Sequence, residues 1–285
     1  MTTLELRVRH DAPLRAGDLP IDAGVLRPDL LLAMSPAQLA GLSLIRANQT
    51  IVLSDLVQIR RRTSRQDRLV IDAVTPMLHG IARGMRSGEL IISGQAGPGL
   101  GASMAGGSIR MTGSVGDDCG IGMRGGRIHI DGSAGDRLGG VLPGHAFGLR
   151  GGEIHVSGDV GWRCGDRMRR GIIMIGGRAA GELGFRMLAG SILVGDDPGA
   201  DCGYELRHGS IIASQAPARL PGGFADTGQH RLGILTLMAA DRGRDRQPGN
   251  GPLAELLKRM RPGLARRWVG DLAIGGRGEL LVPAI

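Results

Sequence analysis

Three cysteines, a pair of histidines and a few clustered carboxylates are the residues of this 285-residue chain best equipped for chemistry. A thiol trio can ligate a metal or cycle between redox states, and Cys119, Cys164 and Cys202 are the only cysteines present. His129 and His155 can bracket a metal if an acidic ligand joins them. Asp117, Asp118, Asp136, Asp196 and Asp197 cluster in glycine-rich stretches, where paired carboxylates can divide general acid and base roles. No His-x-Glu metal motif and no nucleophile–base pair accompanies them.

What these groups can do depends on where the chain puts them, and an internal repeat decides that. The segment Gly-x-Ile-x-Ile begins at Gly88, Gly107, Gly126, Gly152, Gly171, Gly190 and Gly209, at spacings of 19, 19, 26, 19, 19 and 19 residues. Weaker copies precede it at Arg68–Ile71 and Thr50–Leu53. Apolar residues alternate within each unit, which is strand periodicity. A second signal, Leu-Gly or Cys-Gly, follows at fixed phase at Leu100, Cys119, Leu138, Cys164, Leu183 and Cys202. Met104, Met123, Met168, Met187 and Leu206 stand four residues further on. Stacked units would align like residues in columns: Leu90, Ile109, Ile128, Ile154, Ile173, Ile192 and Ile211 in one, and Ala96, Val115, Ala134, Val160 and Ala179 in another. The fold expected is therefore all-β: a right-handed parallel β-helix, a single-stranded solenoid of 19-residue coils with small N- and C-terminal caps.

That geometry removes most of the chemistry. Cysteines of one phase alternate with leucines, so successive thiols lie two coils apart, ~9.6 Å at the usual strand spacing. This exceeds the ~7 Å limit between α-carbons for a disulfide and prevents shared tetrahedral zinc ligation. Buried thiols serving as small hydrophobes are expected instead. His129 and His155 share an outward phase with Arg110 and no acidic ligand, so a solvated or interfacial pair is expected. Corner aspartates read as turn residues. No catalytic residue, metal site or bound cofactor is assigned.

Composition points the same way. Glycine supplies 51 residues and aromatics only 2%, while hydrophobic residues reach 42%. Corners joining short aliphatic strands fit these figures; collagen, with its strict period of three, does not. The net charge is +8, and Lys258 is the only lysine, so arginine carries the rest. An anionic partner is implied. Scarce aromatics argue against single-stranded nucleic acid, no apolar run approaches a membrane span, and Met1–His10 lacks the apolar core of a signal peptide. A cytoplasmic protein is expected.

Two outward columns carry information. Arg86, Arg124, Arg150, Arg169 and Arg207 share the phase after the methionines, interrupted by Ala105 and Leu188, a stripe that either suits an acidic partner or serves only to keep the rod soluble. Along the first strand the outward residues run Ile91, Arg110, His129, His155, Met174, Leu193 and Ile212. Apolar members of an outer face need a cover, supplied by a partner subunit or by the chain's own C-terminal segment; Ile91, Met174, Leu193 and Ile212 are taken as interface residues. The one long unit carries an insertion between Leu138 and Gly152, whose His145 and Phe147 are candidate partner contacts.

The ends break the pattern. Leu4–Val8 alternates as a strand, Ser35-Pro-Ala-Gln38 is a capping box opening a helix to about Ala40, and Pro252–Met260 reads as a helix. Leu272 and Glu279–Val282 fall in strand-like pieces. Three regions follow: an N-terminal cap at 1–45, the β-helix at 46–215 and a C-terminal cap at 216–285.

The repeat Gly-x-Ile-x-Ile-x-Gly followed by Gly-x-x-Met-x-Gly-Gly resembles the GXGXG solenoid, which also closes the large subunit of glutamate synthase. With Arg27-Pro-Asp-Leu30, Ser35–Gln38, the long unit ending Gly148–Gly152 and the tail Val269–Leu281, nearly the whole chain is similar to the third-subunit family of formylmethanofuran dehydrogenase. The resemblance implies a non-catalytic structural subunit. In methylotrophic bacteria such a protein belongs to a formyltransferase/hydrolase complex, which moves formyl from formyl-tetrahydromethanopterin to a methanofuran-type carrier and releases formate. Its implied partners are an amidohydrolase-like subunit, a formyltransferase subunit and a dehydrogenase-like B subunit. The arginine-rich composition favours this bacterial complex. Alternatives are the corresponding subunit of a tungsten or molybdenum formylmethanofuran dehydrogenase, and a solenoid with its own enzymatic site. Such carriers bear glutamate tails, which Arg86, Arg124, Arg150, Arg169 and Arg207 would attract.

Overall fold

The computed structural model describes residues 1–12, 14, 18–242 (backbone only at 242) and 251–284. Its first segment holds β1 (Thr2–Val8), β2 (Ile21–Asp22), α1 (Pro28–Leu31), α2 (Pro36–Ala40), β3 (Ser43–Arg46), β4 (Gln49–Val52), α3 (Leu53–Leu56), β5 (Val57–Thr63), β6 (Arg68–Val74) and β7 (Leu78–His79). The repeats contribute β8 (Glu89–Gly94), β9 (Ser108–Met111), β10 (Arg127–Ile130), β11 (Arg150–Val156), β12 (Val160–Trp162), β13 (Arg170–Ile175), β14 (Ala179–Gly181), β15 (Ser191–Val194) and β16 (Ser210–Ala213). The last segment holds β17 (Ala225–Arg231), α4 (Gly233–Arg242), α5 (Pro252–Met260), β18 (Leu264–Gly270) and β19 (Gly278–Pro283).

These strands correct the expected fold class. They form a 13-stranded mixed sheet, in the order β17-β18-β19-β16-β15-β13-β11-β10-β9-β8-β6-β1-β5. The run from β1 to β19 is parallel, but β5 pairs antiparallel with β1, and β17, β18 and β19 pair antiparallel with one another. Two further sheets stand apart: β12 with β14, and β4-β3-β2-β7. A closed all-parallel solenoid is therefore not what the chain forms. The physical reason lies in the other sides of each repeat. They are tight turns held by left-handed residues, and between Ala96, Val115, Ala134 and Val160 they leave only single bridges instead of strands.

Within the parallel run the repeat sets the register. Leu4, Leu69, Leu90, Ile109, Ile128, Ile154, Ile173, Ile192, Ile211 and Leu280 lie across from one another in succession. All are buried, as are the methionine and leucine–cysteine columns facing them. Arg68–Ile71 joins this stack through β6, whereas Thr50–Leu53 does not: its strand β4 turns back onto β3.

The close stacking needs glycine at particular points. Gly126 has φ +91°, and a β-carbon on it would stand 2.8 Å from the Gly107 carbonyl oxygen of the preceding repeat. The capping box is present, with Ser35 Oγ accepting from the Gln38 amide and Gln38 Oε1 accepting from the Ser35 amide. Leu272 lies in a 3-10 turn, Leu272–Ile274, because Asp271 caps it by accepting from the Ala273 amide.

The apolar outer residues Met174, Leu193 and Ile212 are interior. Leu253, Leu256, Leu257 and Met260 of α5 pack over them, with Leu235 and Ala239 of α4. The chain's own C-terminal segment is thus the cover, and these three are corrected from interface to core. Arg259 fixes the helix there, donating to the carbonyls of Ser214 at 2.8 Å and Pro283 at 2.6 Å. Ile91, at the other end of the same column, is half-buried.

Truncating one column residue leaves a cavity bounded by identical neighbours. Ile128→Ala is expected to cost about 2–5 kcal/mol in urea unfolding, whereas the exposed neighbour Arg127→Ala should stay within about 0.5 kcal/mol.

Candidate functional site

The parallel register assembles the polar outer face of three adjacent repeats. Arg110, His129 and His155 lie on β9, β10 and β11, with His129 directly across from both of the others. Asp131, two residues beyond His129, points back along the same face. Its Oδ1 lies 2.7 Å from His129 Nε2, and its Oδ2 lies 3.5 Å from Arg110 Nη2. His129 Nδ1 is 2.8 Å from His155 Nδ1, with the rings edge-on at 4.5 Å. The expectation that no carboxylate joins this column is therefore corrected: Asp131 lies off the column in sequence phase yet reaches into it.

The connectivity fixes proton positions for neutral rings. A carboxylate only accepts, so His129 carries its proton on Nε2 and donates it to Asp131. Its Nδ1 then accepts from the Nδ1–H of His155. Burial pushes the His155 ring down to about 4, and repulsion from His129 acts in the same direction, against the attraction of Asp131. The arrangement can relay or store a proton. Among the described residues no group of three His, Cys, Asp or Glu is placed to hold a metal ion.

The corner aspartates serve the backbone of the next repeat or of their own turn. Asp117 Oδ1 accepts from the Asp136 amide at 2.9 Å, Asp136 Oδ1 from the Trp162 amide at 2.8 Å, and Asp197 Oδ1 from the Gly199 amide at 2.9 Å. Asp118 instead takes two hydrogen bonds from the Arg137 guanidinium, both 2.8 Å. The three thiols are free and buried. Burial pushes Cys119 and Cys202 up to about 12 and raises Cys164 as well, so thiolate chemistry is suppressed.

The arginine stripe is on the surface. Arg86, Arg124, Arg169 and Arg207 are exposed and Arg150 is half-buried. The five have no ion-pair partner among the described residues, in contrast to the arginines at the corners. The insertion lies beside the stripe. His145 is exposed, and Phe147 is half-buried under Arg169, whose guanidinium carbon is 4.8 Å from the ring centre. Leu142 packs over Gly122, and a cavity of about 310 Å³ opens there between Asp118, Ile121, Arg137, Leu142, His145 and Arg167. The sites therefore fall into two groups: the arginines with Phe147 and His145 along one flank, and the histidine pair on the sheet face. Ile91 belongs to the second group through its place in the column.

No family model matches the chain, and no curated protein matches it. Solved structures do. A chain in the crystal structure of the formyltransferase/hydrolase complex (FhcABCD) from Methylorubrum extorquens, in complex with methylofuran, is 34% identical, with a TM-score of 0.83. The match covers 99% of this chain and 100% of that one. This chain belongs to the family of that component of the complex. Its similarity extends over both ends as well as the repeats, so the flanking segments are family features too. Among the described residues no helix is long and apolar enough to cross a membrane.

Acidification tests the histidine network. Because the folded value of His155 lies below the unfolded 6.5, the unfolded chain binds more protons between those limits, and stability falls as pH drops from about 6.5 through about 4. The His155 ring signal in NMR should titrate near 4, and should rise toward the ordinary value in His129→Ala. A wild-type midpoint near the ordinary value would contradict this reading.

Proposed function

We propose that this chain is the structural subunit of a formyltransferase/hydrolase complex of one-carbon metabolism. The complex would move formyl from formyl-tetrahydromethanopterin to a methanofuran-type carrier and release formate, with the reacting groups on other subunits. The observation that carries this reading is identity of 34% over essentially both full lengths to a chain of such a complex. The environments of the reactive side chains agree with it: Asp117 and Asp136 bind backbone amides, Asp118 binds the Arg137 guanidinium, thiols are buried, and His129 of the histidine pair is engaged with Asp131.

Arg86, Arg124, Arg150, Arg169 and Arg207 give the subunit a second role, holding the carrier's glutamate tail. Five cations in register on a stiff surface attract an extended polycarboxylate without reorganising. Attraction of exposed charges reaches ~8 Å at physiological ionic strength and shortens as salt rises. An amidohydrolase-like subunit, a formyltransferase subunit and a dehydrogenase-like B subunit are the partners this reading requires, with His145 and Phe147 placed to touch one of them. Neither a cofactor nor nucleic acid is assigned to the chain itself.

Purification of the tagged chain from its own host should bring down the formyltransferase and amidohydrolase-like subunits in fixed proportion. Recovery of the chain alone would overturn the reading. In the assembled complex, Arg124→Ser with Arg150→Ser and Arg169→Ser should raise the KM for a glutamate-tailed carrier at low salt, and the difference should fade at high salt. Kinetics unchanged across a salt series would remove the tail-holding role.

A further inference from the structure

Aromatic residues are scarce in this chain, and only Phe224 and Trp268 pack against its main core. Only two Trp, one Tyr and three Phe occur, and the fully buried interior is built without them. Trp162 and Tyr204 are 49% and 43% exposed, and half-buried Phe185 lies between them in the succession of repeats. Phe185 and Tyr204 stack at 5.8 Å with 9° between their planes. Arg163 and Arg186 each place a guanidinium carbon 4.7 Å from the centre of the Phe185 ring. The Trp162 ring lies over Gly181, where a β-carbon would come within 2.5 Å of it.

We propose that this band of Trp162, Phe185 and Tyr204, framed by Arg163 and Arg186, docks an uncharged, apolar face of a neighbouring subunit. The inference rests on the functional reading above and names the surface it uses. Charge selects the occupant. Arg163 pairs with Glu182 at 2.5 Å and Arg186 with Glu205 at 3.0 Å, so the frame is neutralised within the chain. A polyanion gains little here and is drawn to the unpaired arginines instead. Trp, Tyr and Arg are the side chains that dominate binding at protein interfaces. Rings already held by stacking, by guanidinium groups and by a glycine floor lose little freedom on docking.

Hydroxyl-radical footprinting of the purified complex against the free chain tests the assignment. Oxidation of Trp162 and Tyr204 should fall several-fold on assembly, while that of Trp268 should change little. Incorporation of Trp162→Ser/Tyr204→Ser into the complex should drop about tenfold or more, with the melting temperature of the free chain unchanged. Equal labelling in the two states, or normal incorporation of the variant beside incorporated wild type, overturns the docking surface alone. A wild-type chain that joins no other protein overturns the functional reading with it. Protection of both rings in a free chain that sizes as a dimer assigns the band to a second copy and also overturns the proposal.

Discussion

One constraint organises this molecule: short strands pair in parallel with their repeats in register, so each side chain meets its own counterpart above and below. Inside, the result is a column of ten aliphatic residues from Leu4 to Leu280, in which every member is walled by similar shapes. Outside, the same register makes ladders. Arg137 meets Asp118, Arg163 meets Glu182 and Arg186 meets Glu205, each pair 19 residues apart. All six of these residues carry left-handed backbone, a costly conformation for a side chain other than glycine. Cross-repeat ion pairs stand where that cost falls.

Register also separates two kinds of positive charge. Corner arginines are neutralised by the acid of an adjoining repeat, whereas the stripe from Arg86 to Arg207 has no such acid at its phase. The first kind frames a neutral aromatic band and the second leaves a field. A surface divided in this way suits a framework that presents one flank to proteins and another to an anion. Reactive groups fit the same picture, since Asp117 and Asp136 bind amides of the following repeat and the thiols replace leucine in an apolar column.

Much of this is legible in the residues. A 19-residue period places Ile109, Ile128 and Ile154 across from one another, and Pro252–Met260 reads as a helix from its proline start and amphipathic spacing. The fold class is not legible in full, because the period describes repeats and says nothing of how the ends close. Antiparallel pairing of β5 on β1, of β18 on β17 and of β19 on β18 depends on contacts that no local pattern specifies. The cover over Met174, Leu193 and Ile212 is one of two possibilities until α5 is placed. Asp131 is hidden from a column-by-column reading because a side chain can reach into a column from two residues away. Phe185 and Tyr204 share a phase, 19 residues apart, and stack on each other, whereas Trp162 stands at another phase, next to Arg163, whose guanidinium lies over the Phe185 ring.

The central claim is that this chain is a framework on which the other subunits assemble. Native mass spectrometry of the complex from cells lacking the chain tests it most directly. The account predicts that the remaining subunits appear as separate, smaller species and that the intact mass returns when the chain is supplied. A complete assembly of the other subunits, undiminished in its absence, would contradict it.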